Sequence, residues 1–422
     1  MFSYCSNLRV KLTKCLINRR YSHNILTALC EVTVSLIASK PRTRHMFPKP
    51  RVVEFFAGSG LVRNGLGLWF KTVWANDICP KKAAIYVSNF GDQELSLKPI
   101  EQVSGSEVPP ADLAWASFPC QDLSLAGKLA GMKRGSRSGL FWEWLRVLDE
   151  MPAHAKPRVL AIENVVGFLI AENGAHFRDA YMALRERNYR VGALVIDTIH
   201  FLPQSRPRAF VVAAQEGSDV EGLTSEEPDT LWHPKSVLTA YKLVGDPNWA
   251  WWTLPKPPGR TQTFAEICEF DAPTDPPEIT ERMLGMLSPV NRAKLDKAIA
   301  SGKQLAGTGY KRTRRDAKDK KRQRLEVRFD GIAGCLRTPG GGSSRQVVLI
   351  VDKGKVKTRL MTVRETARLM GAPEEFKIPG SYNDGYKATG DAVGVPVTKC
   401  LAENLLSPLC IRNYEALAVA AE

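Results

Sequence analysis

The sequence predicts an α/β protein built on a doubly wound, mostly parallel sheet, with a second, irregular domain attached. Three observations lead there. Between residues 51 and 215 short apolar runs alternate with amphipathic stretches, the pattern of strand–helix–strand units whose sheet is covered on both faces. A glycine-rich turn, "AGSG" (57–60), follows the first apolar run directly. After 216 the alternation gives way to a stretch rich in Pro, Gly, Trp and charge, which predicts long loops in place of repeated units.

The strands are expected at "VVEFF" (52–56), "TVWAN" (72–76), "DLAWASF" (112–118), "RVLAIENV" (158–165), "RVGALVIDTI" (190–199) and "RAFVVAAQ" (208–215). Helices are expected between them at "CPKKAAIYVSNF" (79–90), "GLFWEWLRVLDEM" (139–151) and "HFRDAYMALRERN" (176–188). Residues 49–215 then form the first domain and 216–346 the second. From 347 to 422 a strand ("VVLIVDKG"), a helix ("TVRETARLMGAP") and a last apolar segment (391–409) return to the first domain. The stretch 1–48 reads as a basic extension: residues 1–50 hold nine Lys and Arg against one acid, Glu31. It carries no amphipathic period. A disordered tail, a start-site artefact ahead of Met46 and a targeting leader all fit that composition.

Charge narrows the partner. Fifty-nine Lys and Arg against 44 Asp and Glu leave a net charge of +15, which favours an acidic partner, nucleic acid ahead of an anionic membrane. No apolar stretch reaches the ~18–20 residues of a membrane span. Nine scattered cysteines show neither a C-x-x-C pair nor zinc-ligand spacing, so a metal site is not expected and a reducing cytoplasm is.

Candidate chemistry gathers at the ends of the expected strands, where ligands of such sheets bind. Gly58 and Gly60 remove side chains where backbone approaches a nucleotide closely. The absence of a phosphate-binding arginine cluster suits an adenosine cofactor without phosphates. Asp77 ends the second strand, placed either to accept hydrogen bonds from ribose hydroxyls or to cap the next helix. Cys120 lies between Pro119 and Gln121 at the end of the third strand, a packing residue or a nucleophile. The run behind it, "LAGKLAGMKRGSRSG", suits a loop closing over substrate. Glu163 ends a further strand and can stay partly protonated or bond a base edge. Arg206 and Arg208 are donors for carbonyl or phosphate oxygens. Taken singly, each is more often structural, a salt bridge for Glu163 or a surface arginine for Arg208.

Their order decides. Phe56–Gly60, Pro119–Gln121, Glu163–Val165, Gln204–Arg208, Arg364–Leu369 and Gly390–Val393 follow one another as F-x-G-x-G, P-C-Q, E-N-V, Q-x-R-x-R, R-E-x-A-R-L and G-x-A-V. Over roughly residues 50–408 the chain resembles the DNA (cytosine-5) methyltransferase family. The resemblance implies a Rossmann-like, S-adenosylmethionine-dependent methyltransferase fold and a cytoplasmic, prokaryotic or phage-encoded enzyme acting as a monomer on double-stranded DNA. A cognate restriction endonuclease reading the same site is an optional partner. Cys120 is implied as the nucleophile toward carbon 6 of a flipped cytosine, Glu163 as the group at N3, Arg208 at O2 and Arg206 in a structural or phosphate role. Phe56, Gly58, Gly60, Asp77, Ile78, Asp391 and Val393 are implied for the cofactor. The region 216–346 holds the place of target recognition, and its run 311–328, with ten cations and three acids, reads as a phosphate-tracking element or as a solvated helix or loop. The chain departs from the pattern in three places. No acidic residue after a glycine stands ready to read the adenine amino group, Asp391 replaces the usual Asn, and Cys335-Leu336 stands where Thr-Leu is usual. A transfer-RNA methyltransferase on the same fold and a non-catalytic DNA-binding relative are the alternatives.

Overall fold

The computed structural model describes residues 48–119, 139–315, 319–338 and 345–412. The basic extension up to residue 47, Cys120 with the glycine-rich run behind it, and the tip 316–318 lie outside the described residues. Residues Lys49–Glu422 pack as one compact unit.

Seven strands form the main sheet: β1 (Arg51–Phe55), β2 (Lys71–Asp77), β3 (Leu95–Leu97), β4 (Leu113–Ala116), β5 (Val159–Val165), β6 (Tyr189–Asp197) and β7 (Pro207–Gln215), in the order β3-β2-β1-β4-β5-β7-β6. β1 to β5 pair in parallel, while β7 runs antiparallel to both its neighbours. Successive side chains of a strand point to opposite faces. In β4, Leu113 and Trp115 therefore enter one apolar cluster, and Ala114 and Ala116 the other. Val159 and Ala161 of β5 part from Leu160 and Ile162 in the same way. Burial on both faces is what makes these strands near-continuous apolar runs.

Helices α1 (Leu61–Leu66), α2 (Pro80–Phe90), α3 (Leu140–Glu150) and α4 (Ala175–Arg185) cover the faces. From β1 the chain moves outward to β3 on one side and then crosses to β4 on the other. The crevice therefore opens at the carboxyl ends of β1 and β4.

The boundary expected at 216 does not coincide with a break in packing. Next come β8 (Thr224–Ser225), α5 (Lys235–Val244) and β9 (Trp251–Trp252). Tryptophans in and between these elements fill the core of the main sheet: Trp249 and Trp251 on one face, Trp232 and Trp252 on the other. Backbone bonds from Val195 to Trp232 (2.8 Å) and from Ala250 to Val191 (2.9 Å) cover the edge strand β6, which would otherwise expose unpaired donors. The helices α6 (Phe264–Ile267), α7 (Pro277–Leu284) and α8 (Pro289–Ala300) then lead to a second sheet.

That second sheet crosses the boundary expected at 346. Strands β10 (Leu305–Arg315), β11 (Lys321–Arg328), β12 (Gln346–Asp352) and β13 (Lys355–Leu360) form an antiparallel sheet ordered β11-β10-β12-β13. The run 311–328 is thus a β-hairpin rather than a helix, paired from Thr308↔Arg328 to Arg315↔Lys321. Helices α9 (Val363–Leu369), α10 (Tyr382–Asp391) and α11 (Val395–Leu401) complete the chain. Val397 and Leu401 of α11 share an apolar cluster with Val52 of β1 and Leu113 of β4.

Candidate active site

The turn after β1 is shaped for close approach of a ligand. Phe56 and Gly58 both have φ 59° and Gly60 has φ 83°, a region that side-chain-bearing residues seldom occupy. A Cβ at Gly60 would meet the Phe90 ring at 2.5 Å and the Tyr86 ring at 2.9 Å, so only glycine lets α2 pack here. At Gly58 the nearest atom to an added Cβ is Lys82 Cδ at 3.9 Å. Asp77, buried at the end of β2, pins this turn: its Oδ2 accepts from the Gly58 amide (2.8 Å) and its Oδ1 from the Cys79 amide (2.7 Å). The residue preceding α2 is Cys79, with no side-chain cap, so Asp77 fastens the turn rather than capping the helix. Each carboxylate oxygen keeps a second lone pair for a ribose hydroxyl. Beside it Ile78 is 64% exposed, an apolar surface at a strand end that an adenine ring would cover. Turn, acid and exposed isoleucine together fit an adenosine.

On the other side of the crevice, Glu163 of β5 is buried and accepts from Arg208 Nε of β7 at 3.1 Å. Their strands place them diagonally, with Arg208 opposite Val165. Burial raises the Glu163 carboxyl above the ordinary range, against the pull of Arg208, Arg206 and a hydrogen bond from Ser117. Asn164 donates to the Phe118 carbonyl at 3.3 Å, tying the end of β5 to the end of β4, where Pro119 leads to Cys120. Arg208 Nη1 donates to the Pro207 carbonyl at 2.9 Å, and Nη1 and Nη2 both lie 3.9 Å from Cys335 Sγ, beyond the reach of a strong bond. Among the described residues Nη2 makes no shorter bond, which suits it to a ligand oxygen.

Arg206, expected in a structural or phosphate role, is a brace. It is buried, and its Nη1 and Nη2 donate to the carbonyls of Leu336 (2.7 Å), Gly390 (2.9 Å) and Ala392 (2.7 Å). With those donors spent on backbone, it ties β7 to the two segments that frame the crevice. Gln204 does the same, donating to the Leu369 carbonyl (2.6 Å) and accepting from the Leu336 amide (3.0 Å). Val393, expected at the cofactor, is 2% exposed and belongs to the apolar cluster shared with Leu66 and Leu401; it supports the crevice from beneath. Asp391 stays at the surface, bonded to Thr338 and paired with Lys82 (2.6 Å). Cys335 donates to the Leu336 carbonyl at 3.3 Å. Burial works against its ionisation, but Arg206 and Arg208 together hold the thiol below its ordinary range. A cleft of about 250 Å³ between Tyr310, Arg312, Glu326 and Arg337 shares Cys335 with this neighbourhood, so hairpin and crevice adjoin.

The profile of C-5 cytosine-specific DNA methylases matches residues 50–407. The chain belongs to that family. It is 26% identical over 360 residues to the Type II methyltransferase M.Bsp6I of Bacillus sp. (strain RFL6), covering 84% of this chain and 98% of that protein. With the Type II methyltransferase M.HhaI of Haemophilus parahaemolyticus the identity is 25% over 367 residues, 86% of this chain and 96% of that one. In fold it resembles the Dnmt2 methyltransferase of S. pombe (TM-score 0.53, 19% identity, 86% of this chain and 99% of that one). It also resembles a DNMT2 mutant of Spodoptera frugiperda (TM-score 0.55, 19% identity, 85% and 99%).

The structure adds four residues to those legible in the sequence. Asn164 is the middle residue of the E-N-V block and Ser117 lies two residues before Pro119, so motif and neighbour were the signal. Lys82 is one of two adjacent lysines in α2, and nothing in sequence separates it from a solvated surface residue. Glu54 reads as one acid in an apolar strand, yet it is buried with Oε2 unpartnered, and burial pushes its carboxyl up to about 8. Among the described residues no cluster of His, Cys, Asp and Glu suits a metal ion, and no helix is long and apolar enough to cross a membrane.

Proposed function

We propose that the chain transfers a methyl group from S-adenosylmethionine to carbon 5 of a cytosine flipped out of duplex DNA, through a covalent bond between Cys120 and carbon 6. The observation that carries this reading is the Glu163–Arg208 pair. A carboxyl held above its ordinary range, beside an arginine whose Nη2 has only the distant Cys335 Sγ among the described residues, stands at the ends of β5 and β7, and β5 adjoins the strand that leads to Pro119 and Cys120.

Cytosine C5 is a weak nucleophile, so the chain has to activate the ring. The Cys120 thiolate would add to C6 and push an electron pair toward C5. A protonated Glu163 donates to N3, so the ring gains the pair without gaining a full negative charge. Arg208 holds O2 and fixes the base edge. S-adenosylmethionine supplies the electrophilic methyl group. Transfer of the C5 proton to solvent water then lets the ring expel the Cys120 thiolate, the N3 proton returns to Glu163, and S-adenosylhomocysteine is the second product. Phe56, Gly58, Asp77 and Ile78 would hold the adenosine; Arg206, Gln204 and Asn164 position the strand ends. The base has to leave the duplex stack to reach this crevice.

The hairpin β10–β11 favours duplex DNA as the substrate. Its register sets Arg312 opposite Arg324, Arg314 opposite Arg322 and Arg315 opposite Lys321. Like charges directly opposite destabilise a sheet, and phosphates would relieve them while adding sequence-independent affinity. One chain carries both crevice and hairpin, so a monomer suffices. Expression in a host without cytosine methylation, followed by bisulfite sequencing, tests the whole reading. The expected result is 5-methylcytosine at one recurring sequence. Unmodified DNA alongside newly methylated transfer RNA would overturn it.

A further inference from the structure

We propose that a cleft at the end of the main sheet opposite the catalytic crevice binds a nucleoside 5′-monophosphate, with Lys156 and Arg158 on its phosphate. This site stands apart from methyl transfer, and no motif marks its residues.

The cleft measures about 350 Å³ and lies where β5 and β6 begin and β7 ends. Its walls come from the last turn of α3, the connection that follows it and the strand ends at Tyr189 and Gln215. The crevice opens at the other end of the sheet, and the run of β5 from Val159 to Val165 alone spans about 20 Å. A molecule bound here is therefore neither the target cytosine nor the cofactor. The volume falls in the range of small-molecule sites, enough for one nucleotide and too little for a duplex.

The charge in this cleft is unmatched. His154, Lys156 and Arg158 line it together, and among the described residues their side chains have no hydrogen-bond or ion-pair partner. The acid in the lining, Asp149, is committed elsewhere. Its two oxygens accept from Arg187, at 2.8 Å from Nε and 2.5 Å from Nη2, and Arg187 Nη1 donates to the Ala183 carbonyl at 2.7 Å. Lys156 and Arg158 thus share one concave space with no anion to offset them. A lysine on a convex surface is simply hydrated, whereas a cleft focuses the field of its cations on whatever enters.

The remaining lining is that of a nucleotide site. The Arg158 carbonyl accepts from the Gln215 amide at 2.8 Å, and the Pro157 carbonyl from the Tyr189 hydroxyl at 2.6 Å, so the connection is fastened to the strand ends. Leu148 and Leu160, members of the main apolar cluster, supply apolar wall. The Gln215 carboxamide adds a donor and an acceptor that have no partner among the described residues. Cations, apolar wall and carboxamide match the phosphate, the ring face and the hydrogen-bonding edge of a nucleotide. Inorganic phosphate would use only the first of these.

Calorimetric titrations with the ribonucleoside 5′-monophosphates, the matching nucleosides, inorganic phosphate and a 5′-phosphorylated oligonucleotide test the assignment. At least one monophosphate should bind, and about tenfold or more tightly than its nucleoside or inorganic phosphate. Replacing Lys156 and Arg158 together with Gln should weaken that monophosphate by roughly a hundredfold or more, as expected for two lost bonds to a charged group. Lys156→Arg should keep it. Neither change breaks a bond within the chain, so thermal melting should match that of the wild type. Failure of every monophosphate to bind, binding that survives the double substitution, or equal affinity for inorganic phosphate would overturn the inference. So would an oligonucleotide end that binds through Lys156 and Arg158 where no mononucleotide does, since the cleft would then hold the terminus of a nucleic acid.

Discussion

The seven-stranded sheet and the β10–β11 hairpin use charge in opposite ways. In the first, charged side chains at the strand ends are matched within the chain: Glu163 with Arg208, Arg206 with three carbonyls, Asp77 with two amides. In the hairpin, arginine faces arginine across the ladder, with Glu326 pairing with both Arg312 and Arg314 and Asp319 with Arg315. The root of the hairpin is buried through Leu325 and Val327, whereas its outer half is exposed. Under the proposed function, the sheet holds the charges that do the chemistry and the hairpin supplies cations that grip the phosphates.

Changes in the sheet should then alter turnover at constant affinity, and changes in the hairpin the reverse. Glu163→Gln carries the largest expected effect, a fall in kcat of about 10²–10³-fold, in the lower part of the range for general acid–base groups, with DNA affinity kept. Because the working form is the protonated carboxyl and its pKa is raised, wild-type kcat should fall as pH rises through that value. Glu163→Gln cannot titrate and should lack this limb. A pH–rate profile identical in shape for both proteins would contradict the role.

Replacing Arg314, Arg315, Lys320 and Lys321 with Gln should weaken DNA binding by roughly 10–100-fold at physiological salt and flatten the dependence of log K on log salt by about one unit per lost phosphate contact. The methylated sequence and turnover at saturating DNA should hold. Altered sequence choice would show that the hairpin reads bases, and the division drawn above would fail.

The smallest effect on activity is expected at Glu54. Its carboxyl stays neutral in the folded chain up to pH of about 8, while the unfolded chain loses that proton above about 4.5. The folded state therefore holds an extra proton between these values, and wild-type stability should decline as pH rises across them, by on the order of a few kcal/mol. Denaturant titrations of Glu54→Gln should lack that decline. Parallel curves for the two proteins would mean that the acid is already ionised when buried.

What the sequence displayed and what it hid have physical causes. Six of the seven strands of the main sheet stood out because burial on both faces makes them continuous apolar runs, and expected and observed ends differ by one or two residues, as in 158–165 against Val159–Val165; β3, three residues that are partly buried or exposed, did not. Cys120, Glu163 and Arg208 were legible only as part of an ordered series, since each alone suits a core or a salt bridge. The tryptophans at 249–252 read as part of an irregular domain because edge-covering segments have no period of their own; only the pairing with β6 reveals their place. The hairpin was masked by charge. Its outer residues bury neither face, so the two-residue alternation that marks a half-buried strand is missing. Arg206 and Val393 shared motifs with site residues yet serve them from behind, a distinction of side-chain direction that sequence order does not carry.

The account depends most on a covalent bond formed by Cys120. A duplex library carrying 5-fluorocytosine in place of cytosine, incubated with the protein and S-adenosylmethionine, should yield a denaturation-resistant protein–DNA adduct, because fluorine cannot leave as the C5 proton does. Peptide mapping should place the bond at Cys120, and Cys120→Ser should form none while still binding DNA. No adduct from a wild-type protein that methylates ordinary cytosine, or an adduct mapped to Cys335, would contradict the assignment.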